Sequence, residues 1–246
     1  MRIALIDLDD TLLDYRTEED NARDAVWSVH LPGIELAVWQ RIYDRTKRRL
    51  RADGRLPSTA AYTERFRLSV RQARAAGADC PADEAFVRRC EATYWARRDA
   101  VTTLLPGAEE LLSAVRDQYQ EIVLCTVGTT DNQRRRIAAA GLADSFDALR
   151  TSEMTGVGKD QWPLFLGPHW RGDAHYLAVS DSYNPDLSSA KRFGMRTAWL
   201  RSEATRTRLA AEGLVDVLEP ATDFEGEHPA ELAALITGDR TGQRLI

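Results

Sequence analysis

Cysteine is scarce in this 246-residue chain: there are three, Cys80, Cys90 and Cys125. An odd number cannot all pair, and no two stand at the Cys-x-x-Cys separation of a metal site. Reduced thiols in a reducing compartment are expected. Histidine is nearly as rare, at four, and His30, His169, His175 and His228 show no ligand spacing. Long apolar runs are missing: nothing approaches the roughly 18 residues of a membrane-spanning helix. The first apolar stretch, Ile3-Ala4-Leu5-Ile6, meets acid at Asp7, too early for a signal peptide. A cytoplasmic protein is expected. Low-complexity and disordered classes are excluded as well, since 43% of residues are hydrophobic and 29% charged, the balance of a globular protein. The formal net charge of −5 gives no footprint for a nucleic acid polymer.

The length suits a core domain carrying a smaller insert. The charge is uneven. Residues 16–103 hold 17 Lys/Arg against 13 Asp/Glu, whereas the rest hold 16 against 25. A basic segment of net +4 is thus set into a body of net −9.

The pattern of elements divides at the same places. Residues 2–8 read as a buried strand. Residues 16–103 read as helices, including 36–51, 58–76 and 83–98, with stops at Asp53-Gly54, Pro57, Gly77 and Pro81. After Leu104-Leu105-Pro106-Gly107, strands and helices alternate. The expected helices are 108–119, 131–140 and 185–193, and the expected strands 121–125, 175–179 and 197–200. Residues 214–218 are a candidate last strand, and the tail after about 237 reads as loose. Thr130-Asp131-Asn132-Gln133 has the form of a capping box. Such alternation predicts an α/β fold, a Rossmann-like, doubly wound parallel sheet, with residues 16–103 as an inserted helical cap.

Parallel sheets bind ligands beyond the carboxyl ends of their strands. Past the first strand come Asp7, Asp9 and Asp10. Past residue 125 come Thr126 and Gly128, and past Val179 come Asp181, Ser182, Asn184 and Asp186. Lys159 lies in the connection between the last two. Clustered carboxylates repel one another, and a hard divalent cation relieves the repulsion.

Asp7-Leu8-Asp9-Asp10-Thr11-Leu12, followed by Ile122-Val123-Leu124-Cys125-Thr126, Gly158-Lys159 and Val179-Ser180-Asp181, resembles the haloacid dehalogenase-like (HAD) hydrolase superfamily in its phosphatase branch. The resemblance covers residues 1–15 and 104–246 and implies a core there, with residues 16–103 as the cap. It implies that Asp7 is a nucleophile forming an aspartyl-phosphate. It makes Asp9 the general acid and base. Thr126, with backbone N–H groups around Val127 and Gly128, and Lys159 would hold the phosphoryl group. Asp7, the Asp9 carbonyl and Asp181 would bind Mg²⁺, and Asp186 would be a further ligand or hold Lys159. The implied activity is Mg²⁺-dependent hydrolysis of a small phosphomonoester, a nucleotide or sugar phosphate. Dehalogenating members lack an acid at the position of Asp9, which favours phosphate chemistry. The alternatives are a dehalogenase and a catalytically idle binding protein. The idle reading draws on three departures: Val127 for the usual Asn, Asp160 for the Pro after the lysine, and Ser180 for the Gly before Asp181.

Asp14-Tyr15, Trp39, Arg55-Leu56 and Arg65-Phe66 loosely resemble the 5′-nucleotidase-like branch. Arg45–Arg51 reads as a solvated helix face, the alternative being a segment that attracts an anionic substrate, and Arg134-Arg135-Arg136 as a surface run whose charge opposes the helix dipole. The tryptophans read as packing residues. His169-Trp170 are not assigned to the site. Selectivity for the leaving group is expected from the cap.

Overall fold

In a computed structural model, residues 1–54, 57–211 and 222–239 are described. Six strands form one parallel sheet: β1 (Arg2–Ile6), β2 (Glu121–Thr126), β3 (Ala148–Thr151), β4 (His175–Ser180), β5 (Arg196–Leu200) and β6 (Phe224–Gly226). Their order is β3-β2-β1-β4-β5-β6. The chain runs outward from β1 to β3 on one side and from β4 to β6 on the other, so the order reverses beside β1. This doubly wound arrangement opens a crevice at the carboxyl ends of β1 and β4.

The strands are apolar on both faces because both are covered. Ala4 and Ile6 point to one side, toward Leu111 and Val115 of α5 (Ala108–Gln118) and Leu232 and Ile236 of α11 (Pro229–Gly238). Ile3 and Leu5 point to the other. There they join Phe165 and Leu166 of α8 (Trp162–Leu166), Ala190 of α9 (Ser188–Arg192), and Leu209 of α10 (Glu203–Ala211). Between β2 and β3 lies α6 (Thr130–Ala139), and α7 (Ser152–Thr155) follows β3.

Four longer helices stand between β1 and α5: α1 (Tyr15–His30), α2 (Leu36–Ala52), α3 (Thr59–Ala75) and α4 (Glu84–Ala100). Polar caps start three of them. The side chains of Asp14, Ser58 and Asp83 accept from the backbone N–H groups of Thr17, Ala61 and Phe86 at 3.1, 3.2 and 2.7 Å. Each cap satisfies a donor that the first turn leaves unpaired. The four helices have their own core around Trp39, Tyr43, Phe66 and Tyr94. Phe66 and Tyr94 meet edge-on at 5.3 Å between centroids. The two chain segments joining this unit to the sheet lie side by side. Leu13 bridges Leu104, and the Leu105 N–H donates to the Leu12 carbonyl at 2.8 Å. Gly107 ends the return segment with φ of +85°, and a Cβ there would meet Ala230 N at 2.7 Å. Only glycine suits both the left-handed backbone and the close approach.

The expected helices and strands within the described residues are present, with ends shifted by a few residues. The sequence reading did not mark β3 or β6. The candidate strand at 214–218 lies outside the described residues, as does the tail beyond 239. Among the described residues no helix is long and apolar enough to cross a membrane. Cys80, Cys90 and Cys125 are free and buried.

Candidate active site

The Asp7 N–H donates to the Val179 carbonyl at 3.0 Å, extending the β1–β4 pairing past the strand. The chain then reverses. Asp10 has φ of 57°, in the left-handed region that aspartate tolerates because its short side chain bonds locally. Its Oδ1 accepts from the Arg16 backbone N–H at 3.2 Å. The reversal tucks Thr11 under the strand ends. Its hydroxyl accepts from the Asp181 N–H at 2.9 Å and faces Asp7 Oδ2 at 3.4 Å. One buried hydroxyl thereby ties the loop after β1 to the loop after β4.

Lys159, at the start of a 3₁₀ turn, reaches the same point. Its ammonium donates to Asp7 Oδ1 at 2.5 Å and also to Asp186 Oδ2. Lys159 is 3% exposed and Asp7 8%. Burial pushes Asp7 up to about 7, with Lys159 opposing and Asp186 and Asp9 adding to the rise. Burial disfavours the Lys159 charge, but Asp186 and Asp7 outweigh it and hold the ammonium protonated well above its usual range. Ser180 is buried beside Asp186. Its Oγ donates to Asp186 Oδ2 at 2.9 Å and accepts from the Ser182 N–H at 3.0 Å, bracing the loop that carries Asp186. The indoles of Trp199 and Trp162 hold the carbonyls of Asp181 and Asp186 at 3.0 and 3.2 Å.

Thr126 closes β2, fully buried, and its Oγ accepts from Gln133 Nε2 at 2.8 Å. The Gly128 N–H donates to Ser152 Oγ at 3.0 Å, so it is engaged rather than open to a ligand as expected. The capping-box expectation also fails. Thr129 is the N-cap of α6 and makes no side-chain cap bond. Thr130 Oγ1 pairs instead with Thr151 Oγ1 at 2.8 Å, and Gln133 turns inward to Thr126.

The surface reading holds for Arg134 and for Arg135, which pairs with Asp99 at 3.1 Å, but fails for Arg136. It is 0% exposed, and its guanidinium takes Glu18 Oε2 through Nε and Nη2 at 2.9 and 2.7 Å. Its Nη1 donates to Asp9 Oδ1 at 2.5 Å and to Gln133 Oε1 at 2.8 Å. A continuous chain therefore runs from Thr126 through Gln133 and Arg136 to Asp9 and to Glu18 on α1. Sequence reasoning missed Gln133, Arg136 and Glu18. The available signal was spacing: Gln133 and Arg136, three apart, share a helix face.

A cavity of about 600 Å³ opens between the strand ends and the four-helix unit. Asp7, Asp9, Val127, Lys159, Asp181 and Asp186 line it from the sheet side. Tyr15, Glu19, Lys47, Arg51, Tyr62 and Arg65 line it from the helices. Lys47 and Arg51 correct the reading of Arg45–Arg51 as a wholly solvated face, since these two, one turn apart, face the cavity. Trp39 packs in the helical core and donates its indole N–H to the Arg23 carbonyl at 2.8 Å. His169 pairs with Glu121 at 2.7 Å, at the amino end of β2 and away from the cavity. Arg55 and Leu56 lie outside the described residues.

The fit of the carboxylates to a divalent cation can be judged from their surroundings. Asp7, Asp9 and Asp181 line one cavity, and Asp7 is burdened by burial and by neighbouring acids. Among the described residues no three His, Cys, Asp or Glu side chains form a ready-made cluster. Mg²⁺ needs none: it keeps several waters and is held by one or two carboxylates. Two carboxylates and the Asp9 backbone carbonyl are a donor set of that kind.

Residues 1–166 match the family model described as haloacid dehalogenase-like hydrolase. A ribulose-1,5-bisphosphate 5-phosphatase from Halopiger xanaduensis is 29% identical over 144 residues, covering 53% of this chain and 60% of that protein. The chain spans less than two thirds of the first curated relatives it matches. The solved HAD-hydrolase YfnB from Bacillus subtilis, bound to magnesium, superposes with a TM-score of 0.68 at 22% identity, covering 96% of this chain and 98% of that one. The L-2-haloacid dehalogenase from Xanthobacter autotrophicus has a TM-score of 0.64 at 21% identity, covering 97% and 99%. These two likenesses speak for the fold. The match over residues 1–166 speaks for the family: the chain belongs to the haloacid dehalogenase-like hydrolases.

Proposed function

We propose that this protein is a Mg²⁺-dependent phosphomonoester hydrolase working through an aspartyl-phosphate on Asp7. The observation that carries the reading is the buried Asp7 carboxylate at the tip of β1, bonded to Lys159 and sharing one cavity with Asp9 and Asp181. Residues 1–15 and 104–246 would form the catalytic core and 16–103 the cap.

Asp7, the Asp9 carbonyl and Asp181 would hold Mg²⁺. When bound, the ion supplies charge neutralisation for the phosphoryl oxygens. Lys159 offsets the remaining negative charge beside Asp7. Thr126, whose oxygen accepts from Gln133, would keep its hydroxyl proton for a phosphoryl oxygen. Asp7 attacks phosphorus while the bond to the leaving oxygen breaks. Asp9 gives that oxygen its proton, then takes one from the water that hydrolyses the acyl phosphate and regenerates Asp7. Arg136 holds Asp9 beside the cavity. The four-helix unit over the cavity limits water during the first step.

The likeness to a phosphatase supports this reading. The acid at position 9 speaks against dehalogenation, which would release chloride from 2-chloropropionate. Purified protein should hydrolyse p-nitrophenyl phosphate with Mg²⁺ and fall silent in EDTA. Chloride release without phosphatase activity would overturn the assignment.

A further inference from the structure

The two sides of the cavity carry opposite charge. Among the described residues, Asp7, Asp9, Asp10, Asp160, Asp181 and Asp186 come from the sheet side against one lysine, Lys159. Among the same residues, Arg16, Lys47, Arg51 and Arg65 come from the helical side against one carboxylate, Glu19. The acidic floor is accounted for by a cation and a phosphoryl group. The basic roof is not.

Glu19 cannot balance that roof. Its carboxylate is shared between Lys47 and Arg65, the latter at 3.5 Å. Among the described residues, no carboxylate stands within ion-pair distance of Arg16 or Arg51. Arg65 is 7% exposed, yet its Nε has no hydrogen-bond partner among the described residues. Its Nη1 is spent on the Tyr43 hydroxyl at 3.0 Å. Burial pushes Lys47 down to about 8, and Arg51 and Arg65 press in the same direction against Glu19. Tyr15 and Tyr62 wall this corner, with Lys47 5.1 Å from the Tyr15 ring centroid and Arg65 4.6 Å from that of Tyr62. Crowded cations with spare donors in a partly dry pocket gain from an anion that bridges them.

We propose that Lys47, Arg51 and Arg65 form a subsite for a second anionic group, so that the substrate is a small phosphomonoester whose leaving group carries a carboxylate or another phosphate. This rests on the phosphatase reading for the identity of the first group. The aromatic walls leave room for a short carbon skeleton between the two anions. A neutral leaving group would leave the roof cations uncompensated.

Matched ligands test it. Phosphoglycolate and 2-hydroxyethyl phosphate differ only in carboxylate against hydroxymethyl, and 6-phosphogluconate and sorbitol 6-phosphate repeat the comparison on a longer skeleton. Fructose 1,6-bisphosphate against fructose 6-phosphate asks whether the second anion is a phosphate. With Mg²⁺, the full chain should favour the doubly anionic member of at least one pair by more than about tenfold in kcat/KM, the scale of one charge-assisted contact. In Arg51→Glu and Lys47→Met that ratio should collapse toward one, and Arg51→Lys should keep part of it. A ratio near one in the wild type for all three pairs would overturn the subsite. So would equal loss for both members in Arg51→Glu, which would assign Arg51 to closure of the cleft. Calorimetry of the same pairs on Asp7→Asn protein reads the subsite without turnover. Preferential binding there, lost on adding Arg51→Glu, combined with a wild type that hydrolyses nothing, would keep the subsite and sink the phosphatase reading. Indifferent binding would sink the subsite alone.

Discussion

Asp9 and Glu19 show how much one side chain's surroundings decide. Arg136 holds the Asp9 carboxylate, so in the proposed mechanism Asp9 would exchange that contact for a proton to serve as an acid. Leaving groups that depart as stable anions need no such proton. Asp9→Asn should therefore slow alkyl phosphates by about 10²–10⁴ and p-nitrophenyl phosphate much less; steady-state kinetics on both esters checks this. Burial pushes Glu19 up, but Lys47 and Arg65 outweigh it and hold the carboxylate at about 2 against a usual 4.5. Between those values the unfolded chain binds more protons, so Glu19 contributes stability that is present above pH 4.5 and lost as pH falls toward 2. In urea titrations, Glu19→Gln should be less stable than wild type at neutral pH, and the gap should shrink across that window. Asp7 was legible in the sequence because a buried strand running into acids is uncommon, and Lys159 only through its place between the motifs at Thr126 and Asp181. Arg136 was not legible: in Arg134-Arg135-Arg136 nothing local tells which arginine faces inward. Its partners Glu18 and Asp9 are more than a hundred residues away.

At the scale of elements, α6 carries the most weight for its length. Its buried face, Asn132, Gln133, Arg136 and Ile137, spends two polar side chains on organising Thr126 and Asp9. The run of Thr130 to Gln133 looked like a capping box because both residue types were present. Tertiary partners, Thr151 for one and Thr126 for the other, won over the local cap. Edge strands β3 and β6 were illegible for a plainer reason: Ala-Leu-Arg-Thr and Phe-Glu-Gly are short and carry charge, as edges do. Arg136 also pins α1 to α6 through fully buried Glu18, which Arg98 of α4 approaches at 3.5 Å. Burial raises Glu18, with Arg136 and Arg98 opposing. Removing the guanidinium strands that carboxylate. Arg136→Met should cost about 3–5 kcal/mol in equilibrium unfolding, and adding Glu18→Gln should return much of it. Additive losses would mean that the two do not act as a pair.

For the whole molecule, apolar clusters on the two faces of the sheet and a separate cluster among the four helices are joined by paired segments at Leu13 and Leu104. Under the proposed function, the sheet would supply the chemistry common to many phosphate esters, and the helices the wall that a leaving group meets. Substitutions at Tyr62 and Arg65 should reorder a substrate panel while orthovanadate, a phosphate mimic, keeps its inhibition constant within about threefold. An unaltered order would place selectivity in the core. The substrate itself was not legible, because the residues facing the cavity from 15 to 65 are scattered along three helices. The central claim is that Asp7 becomes phosphorylated. Its most direct measurement is acid quenching during turnover of p-nitrophenyl phosphate with Mg²⁺, followed by mass spectrometry of the peptide Ile3–Arg16. The account predicts one phosphoryl group on Asp7, labile to hydroxylamine as an acyl phosphate, and none in Asp7→Asn, which should be inactive. Turnover persisting in Asp7→Asn, or a phosphoryl group found on another residue, would contradict it.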